Sequence, residues 1–188
     1  MKKTFIYLFM FCLFLAGCGD DSANNSTSKN TGEDKVDEQV EKETKREQKN
    51  EEFELKQIGE TFKLKDWDVT LESFEFNKKV ENDIMSSEAE EGNEFLILNF
   101  KVVNNGTEAD QLMKPREGVT LKAVYNDKYT YDDLITLVSG DLHLEDVRPL
   151  STVEGFAVVP MPDNVVEATE SIDLYLKQGD SKVQINIR

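Results

Sequence analysis

Beyond residue 53, most of the chain alternates between apolar and polar residues with a period of two. This is the pattern of β-strands that bury one face. It is clearest over residues 61–65, 67–76 and 94–104. In the last of these ranges one face is wholly apolar, so we expect that face to point into a core. Its residues are Leu96, Leu98, Phe100 and Val102.

The second of these strands changes register along its length. From Trp67 to Leu71 the apolar positions are odd-numbered, whereas Phe74 and Phe76 are even-numbered. One extra residue in a strand shifts its side chains to the opposite faces. We therefore predict a β-bulge close to Ser73.

Further alternating runs and turn residues complete the pattern. Additional strands are predicted at residues 118–125, 128–133, 152–160, 171–177 and 182–187. Residues 104–106 (NNG), 126–127 (ND) and 178–180 (QGD) are typical of turns that tolerate a positive φ, and the last predicts a C-terminal hairpin. Residues 134–147 fit either a short helical turn or a long crossing loop. About eight short strands without an amphipathic helix between them predict an all-β fold, an antiparallel β-sandwich.

The amino terminus follows a different pattern. Two lysines at positions 2 and 3 precede eleven consecutive apolar residues, 5–15, and the polar run GDDSANNS begins at Gly19 soon after them. A membrane-spanning helix needs about 20 apolar residues, so the run is too short. A secretory signal peptide fits it better, and an uncleaved anchor or a buried helix remains the alternative.

The residues that end this run, Leu15-Ala16-Gly17-Cys18, resemble the lipobox of bacterial lipoproteins. The resemblance implies cleavage before Cys18, a diacylglyceryl thioether on its sulfur, and anchoring at the extracytoplasmic face of the cell membrane. Cys12 would leave with signal peptide 1–17, so the mature chain would hold no disulfide. Two acyl chains give stable attachment, whereas one gives only marginal binding.

Residues 18–52 are expected to form a disordered acidic tether after the lipidated cysteine. Between Gly19 and Glu52 there are 11 acidic and 6 basic residues and no aromatic residue. Such a composition buries too little apolar surface to offset the entropy of ordering. The chain thus divides into a signal peptide (1–17), a lipidated tether (18–52) and a folded domain (53–188).

Charge narrows the range of partners. The 188 residues include 38 acidic and 22 basic ones, which gives a formal charge of −16. A nucleic-acid partner is disfavoured because phosphate binding needs clustered lysine and arginine. Electrostatic adhesion to an anionic bilayer is disfavoured for the same reason. We expect the lipid alone to hold the protein at the membrane, with a protein or another envelope component as its partner.

Short blocks along the folded part resemble a known family. They are Ile58-Gly59-Glu60-Thr61, Trp67-x-Val69-Thr70, Gly92-x-x-Phe95-Leu96-Ile97-Leu98, Val102-x-Asn104-Asn105-Gly106, Tyr131-x-Asp133, and Pro149-Leu150-Ser151 with Gly155-Phe156-Ala157-Val158-Val159-Pro160. In this order they look like a domain of unknown function common in lipoproteins of Gram-positive bacteria. The resemblance implies an immunoglobulin-like sandwich, similar to a secreted mycobacterial immunoprotective antigen, and no established activity. The family commonly has glycine after the proline of the last block, where this chain has Leu150.

Candidate catalytic chemistry is sparse. His143 is the only histidine, with Ser139 and Asp141 nearby in sequence. General bases and catalytic triads usually require histidine. His143 is therefore the only residue of this chain that could take that role. We expect an ordinary surface or partly buried histidine and no enzyme, with an envelope hydrolase as the weaker alternative.

Binding of metals or sugars is the other possibility. Three acidic groups in predicted loops could offer oxygen ligands to Ca²⁺, although none has the spacing of an EF-hand. They are Glu88-Ala-Glu90-Glu91-Gly92, Asp127 with Asp132-Asp133, and Asp141 with Glu145-Asp146. Trp67 could stack on a sugar, but its place in an alternating strand favours the core. We predict no cofactor and no metal, with a calcium-binding envelope module as the alternative.

The sequence therefore predicts a membrane-anchored extracytoplasmic lipoprotein. Its folded domain is expected to present loops or a sheet edge to a partner rather than to catalyse a reaction.

Overall fold

A computed structural model describes residues 52–188. The predicted signal peptide, Cys18 and all of the predicted tether except Glu52 lie outside the described residues. Within residues 52–188, no helix is long and apolar enough to cross a bilayer.

The described part of the chain contains thirteen strands and one helical turn. They are β1 (Glu54–Lys56), β2 (Thr61–Leu64), β3 (Trp67–Asn77), β4 (Lys79–Glu81), β5 (Ser86–Glu88), β6 (Asn93–Asn104), β7 (Asp110–Gln111), β8 (Thr120–Tyr125), β9 (Tyr129–Asp132), β10 (Asp146–Val147), β11 (Thr152–Pro162), α1 (Asp163–Val166), β12 (Ile172–Gln178) and β13 (Ser181–Asn186). All eight predicted strands are among them. The five additional ones are the short strands β1, β4, β5, β7 and β10.

Two sheets form a sandwich. One has five strands in the order β1-β13-β12-β8-β9, and the other has four in the order β11-β6-β3-β2. The predicted β-sandwich is confirmed, with one correction to its antiparallel arrangement. Strand β1 pairs parallel to β13, with Glu54 opposite Val183. The two strands are separated by almost the whole domain, so their directions are not fixed by a hairpin.

Apolar side chains of both sheets fill the space between them. The predicted core face of β6 is buried, and Phe62, Trp67 and Leu71 pack in the same cluster. Burial of each large apolar side chain contributes about 1.5–3 kcal/mol. The core therefore supplies the main stabilisation of the domain.

The opposite face of β6 is also buried at its beginning. Phe95 and Ile97 form a second, smaller cluster with Val158. Val80 and Ala89, from the β4–β5 hairpin and its end, pack against this cluster. This first half of β6 is thus covered on both faces, which strict alternation does not predict.

The predicted bulge, the turn predicted at residues 126–127 and the predicted C-terminal hairpin are present. The register of β3 against β6 shifts between Leu71 and Ser73. Asn126 and Asp127 have φ of 50° and 53° in the β8–β9 turn, and Gly179 has φ of 60° between β12 and β13. Asparagine, aspartate and glycine tolerate this left-handed conformation best.

Residues 104–106 behave differently from the expected positive-φ turn. The buried side chain of Asn104 donates to the carbonyls of Glu108 and Val147 at 2.9 and 2.8 Å, and accepts from the Gly106 amide at 2.8 Å. The Asn104 side chain thus attaches the loops that contain Glu108 and Val147 to the end of β6. Residues 104–106 are therefore held by side-chain hydrogen bonds and do not adopt a positive φ.

Leu150 occupies the position where the resembling family has glycine. Its φ is 58°, in the left-handed region, and 81% of the residue is exposed. Its amide donates to the Asn104 carbonyl at 2.7 Å. The turn thus keeps a conformation suited to glycine despite the substitution.

Residues 134–147 form a crossing loop rather than a helical turn, and the strand β10 begins only at Asp146. The loop lies along the free edge of β11. The Leu134 amide donates to the Val158 carbonyl and the Leu142 amide to the Phe156 carbonyl, both at 2.9 Å. Edge strands left open are prone to pair with other chains, and this loop covers one.

Candidate functional site

His143 lies in this crossing loop and contacts two carboxylates. Its Nδ1 is 2.7 Å from Oδ1 of Asp141, and its Nε2 is 2.6 Å from Oδ2 of Asp133. Only 7% of the histidine side chain is exposed, against none for Asp141 and 21% for Asp133. The expectation of an ordinary surface or partly buried histidine is wrong in this respect: the ring is buried because carboxylates satisfy both of its nitrogens.

The charge state of His143 follows from these contacts. Burial lowers the pKa of the ring, but the hydrogen bonds and charges of Asp133 and Asp141 more than offset this and raise the pKa to about 9. At neutral pH the ring is therefore an imidazolium that donates from both nitrogens. It has no free lone pair with which to act as a general base.

Asp141 receives hydrogen bonds at both carboxylate oxygens. Oδ2 accepts from the amide and hydroxyl of Thr136 at 2.6 and 2.8 Å, and Oδ1 accepts from the amide and ring of His143. Burial raises the pKa of this carboxyl group, but the bonds from His143 and Thr136 more than offset it and hold the pKa below its usual value. Asp141 is thus an ionised carboxylate that connects Thr136 and His143 inside the loop.

Ser139 does not join this cluster. Its side chain is exposed, and within residues 52–188 no hydrogen bond connects it to His143 or Asp141. Ser139, His143 and Asp141 therefore do not form a catalytic triad. The cluster holds the crossing loop in place.

The loop held by this cluster exposes several aliphatic side chains. They are Leu134, Ile135, Leu137 and Leu144, each more than 40% exposed. Concentrated exposed apolar residues often mark interaction surfaces.

Four of the nine acidic residues considered as calcium ligands are bound to protein donors. Asp132 forms an ion pair with Lys122, Asp133 and Asp141 with His143, and Glu145 accepts from the Gly140 amide. Within residues 52–188, no group of three or more histidine, cysteine, aspartate or glutamate residues is arranged to hold a metal ion.

Trp67 is 3% exposed and belongs to the main core, as predicted. Its ring is therefore not available to stack on a sugar.

A cleft at one end of the sandwich has a volume of about 880 Å³. We call it the end cleft. Turns from both sheets form it: the β2–β3 turn, the residues that lead into β8, and the β12–β13 turn. Loops at the ends of β-sandwiches are common binding surfaces, and the volume lies within the usual range for ligand sites.

The end cleft concentrates positive charge in an acidic domain. Residues 52–188 contain 28 acidic and 14 basic residues. The cleft nonetheless has five cations and three anions in its lining. The cations are Lys65, Lys114, Arg116, Lys122 and Lys177, and the anions are Asp66, Asp110 and Glu117.

These cations differ in how they are paired. Lys114 contacts Asp110 at 2.8 Å, and Lys122 contacts Asp132 at 2.9 Å. Lys65 and Arg116 are exposed and have no ion pair with any of residues 52–188. Both have a left-handed backbone, with φ of 51° and 73°. Such conformations in non-glycine residues are unfavourable and cluster at functional sites.

Gln178 lies beneath the cleft at the end of β12. It is only 6% exposed, and its Nε2 donates to the Glu117 carbonyl at 3.1 Å. Its Oε1 is buried without a hydrogen-bond partner among residues 52–188. Buried polar atoms nearly always have a hydrogen-bond partner. This oxygen could therefore accept a hydrogen bond from a bound ligand.

An apolar groove continues from the end cleft over the outer face of the five-stranded sheet. Its volume is about 360 Å³, and it shares Thr120, Lys122 and Lys177 with the cleft. The rings of Phe53 and Tyr175 meet edge to face at one side of it, with centroids 4.9 Å apart. We call this surface the aromatic groove.

Sequence reasoning did not identify the cleft residues. They are spread over 115 positions, from Lys65 to Gly179, of a chain in which acidic residues predominate, and only the pairing of distant strands brings them together. The sequence offered only the presence of Lys65 and Arg116 in turns as a sign of the cleft. Charged residues are common in turns, so this sign does not distinguish a binding site. Cys18, the predicted lipid attachment point, lies outside the described residues.

Comparisons with known proteins place the domain in context. A family model described as "Domain of unknown function (DUF4352)" matches residues 56–180, more than half of the chain. No curated protein matches the chain significantly.

Among solved structures, an uncharacterized β-sandwich protein from Clostridium difficile 630 has a TM-score of 0.60 at 20% identity, over 74% of this chain and 99% of its own. A conserved hypothetical protein from Bacillus anthracis has a TM-score of 0.47 at 14% identity, over 68% and 92% of the two chains. The yjhA protein from Bacillus subtilis also has a TM-score of 0.47, at 13% identity, over 70% and 98%. The first of these likenesses supports the β-sandwich fold and nothing beyond it.

Proposed function

We propose a function from one premise: over residues 56–180 the chain belongs to the DUF4352 family, a domain of unknown function. The protein is a membrane-anchored lipoprotein. It displays a non-enzymatic binding domain at the extracytoplasmic face of the cell membrane. The proposal includes a signal peptide (1–17), a lipidated Cys18 with its tether (18–52), and an immunoglobulin-like domain (53–188) similar to the secreted mycobacterial antigen.

The anchoring part of the proposal is supported by the position of Cys18. The cysteine follows a leucine and two small residues, directly after an apolar run too short to span a bilayer. A thioether-linked diacylglyceryl group would bind the membrane stably. The acidic residues that follow would then separate the sandwich from the bilayer.

The binding part rests on a single observation, the end cleft. Five cations converge there in a domain where acidic residues outnumber basic ones two to one. The only histidine, by contrast, is bound at both ring nitrogens. The arrangement offers charge and hydrogen-bonding groups for recognition and no prepared base for catalysis.

Palmitate labelling tests the anchor. In a bacterial cell that processes lipoproteins, the full chain should incorporate labelled palmitate and fractionate with membranes. Cys18→Ala should abolish the labelling, whereas Cys12→Ala, the matched change at the other cysteine, should leave it intact. Labelling that persists in Cys18→Ala would refute the anchor.

Site-specific crosslinking tests the binding surface. A photoreactive residue in place of Glu117, at the cleft, should yield crosslinked envelope products in cells. The same residue in place of Lys101, on β6 of the other sheet, serves as the control. Equal products at both positions would contradict a role for the cleft.

A further inference from the structure

We propose that the end cleft and the aromatic groove together form one binding site for an acidic saccharide, a sugar that carries a carboxylate or phosphate group. The inference rests on the binding role proposed above and assigns its ligand class.

The first argument is charge. The cleft has an excess of cations in a domain whose overall charge repels anions. Lys65 and Arg116 have no ion pair within residues 52–188, so an anionic ligand would not have to displace an existing partner from either. Arginine is suited to a bidentate contact with a carboxylate or phosphate, and lysine provides a mobile point charge.

The second argument is the unpartnered oxygen of Gln178. Its amide orientation is set by the bond from Nε2 to the Glu117 carbonyl, which leaves Oε1 as an acceptor. Chloride and sulfate have no donor for this oxygen, whereas a sugar hydroxyl does. The ligand should therefore carry hydroxyl groups as well as negative charge.

Lys65 also lies beside the turn that follows Gln178. The Lys65 side chain lies over Gly179, so closely that a Cβ at residue 179 would be 2.8 Å from Lys65 Cε. An anion that draws this flexible side chain toward itself would uncover the turn at Gly179, next to Gln178. Charge recognition and hydroxyl recognition would then occur together.

The third argument is the aromatic groove. The groove joins the cleft at Lys122 and Lys177, and the rings of Phe53 and Tyr175 flank it. The electron-rich face of an aromatic ring attracts the polarised C–H groups of a sugar ring. One end of the site thus suits the charged group of the ligand and the other suits its ring.

The position of the groove favours a saccharide over a peptide. It lies on the outer face of β8 and β12, two neighbouring inner strands of the five-stranded sheet. Their backbone groups are already paired within the sheet, so a peptide could not bind there by adding a strand. Recognition must come from side chains alone: ammonium groups, threonine hydroxyls, rings and a carboxamide.

Calorimetric titration of the full chain in detergent micelles tests the proposal with matched probes. Trigalacturonate supplies carboxylates and glucose 6-phosphate supplies a phosphate, with the trimethyl ester of trigalacturonate and glucose as neutral counterparts. We expect at least one acidic probe to bind about tenfold more tightly than its neutral counterpart, and more weakly as salt increases. The acidic probe that binds identifies the charged group.

Variants locate the site. Arg116→Gln and Tyr175→Leu should each weaken binding of that probe severalfold, whereas Lys101→Gln, the same kind of charge removal on the other sheet, should not. Thermal unfolding of each variant verifies that it is folded. Inorganic phosphate that binds as tightly as the sugar phosphate would reduce the site to a simple anion site and overturn the saccharide assignment.

The proposal is also overturned if neither acidic probe binds at about 10 mM, or if each neutral counterpart binds equally well. None of these outcomes affects the palmitate labelling of Cys18, which tests the anchor separately.

Discussion

His143 Nε2 lies 2.6 Å from Oδ2 of Asp133, and this contact joins the edges of the two sheets. Asp133 directly follows β9, the edge strand of the five-stranded sheet, whereas His143 belongs to the loop that covers β11, the edge strand of the other. Together with the bond from the Leu134 amide to the Val158 carbonyl, this charged hydrogen bond closes the sandwich on this side. A buried ion pair of this kind specifies an arrangement and makes it dependent on pH.

Stability should fall as the pH rises through 9. The pKa of His143 is raised from 6.5 to about 9 in the folded protein. A raised pKa stabilises the fold fully below pH 6.5, and the contribution disappears as the pH passes the folded-state value. Urea unfolding should show a loss of up to about 3 kcal/mol between about pH 6 and pH 10.

His143→Gln is the control for this effect. The variant should be less stable than the parent at about pH 6 and should lack most of the decline over that interval. If parent and variant show the same dependence on pH, the charged cluster does not stabilise the fold.

Loss of charge at Asp141 should be more damaging than at Asp133. Asp141 is fully buried with donors at both oxygens, whereas Asp133 is partly exposed. Asp141→Asn would direct an amide group at existing donors and should cost about 3–5 kcal/mol of unfolding free energy. Asp133→Asn should cost about 1–2 kcal/mol. Equal losses, or the reverse order, in chemical denaturation would contradict the assigned roles.

Leu150→Gly should stabilise the protein by about 1 kcal/mol. Leucine is unfavourable at a φ of 58°, and its exposed side chain has little packing to lose. Leu137→Gly is the matched control, because Leu137 is also exposed but does not have a positive φ. That variant should be destabilised by about 0.5–1 kcal/mol. A lower melting temperature for Leu150→Gly would show that the turn favours leucine.

Gly155→Ala should destabilise the protein by more than about 2 kcal/mol. A Cβ at this position would be 2.6 Å from the Gly140 carbonyl oxygen and 2.7 Å from a Leu142 methyl carbon. The clash would force the crossing loop away from β11. Gly92→Ala is the comparison, because a Cβ at residue 92 would have no atom within 4 Å. Its loss of stability should come only from placing alanine at a φ of 84°. Equal melting temperatures for the two variants would mean that the loop is not held closely.

The sheets could be predicted because their signal is local. Leu98 and Phe100 fall on the apolar face that alternation defines, and the bulge at Leu71 and Ser73 appears as a change from odd to even positions. The β4–β5 hairpin was missed because strands of three residues are too short to show a period. For the same reason, the burial of Phe95 on the other face of β6 was not expected.

The surroundings of His143 and the end cleft could not be predicted from sequence. Asp133 and His143 are ten residues apart in a loop without periodicity, and only the closure of the sandwich brings them together. Lys65 and Lys177 meet at the cleft because the β2–β3 and β12–β13 turns lie at the same end. Such contacts depend on the pairing of distant strands, which single-residue patterns do not encode.

The most direct test of the central claim is mass spectrometry of the protein extracted from the membranes of a lipoprotein-processing bacterium. We predict an amino-terminal peptide that begins at Cys18 and carries the mass of a diacylglyceryl group, with residues 1–17 missing. A chain that begins at Met1, or one with an unmodified Cys18, would contradict the account of a lipid-anchored binding domain.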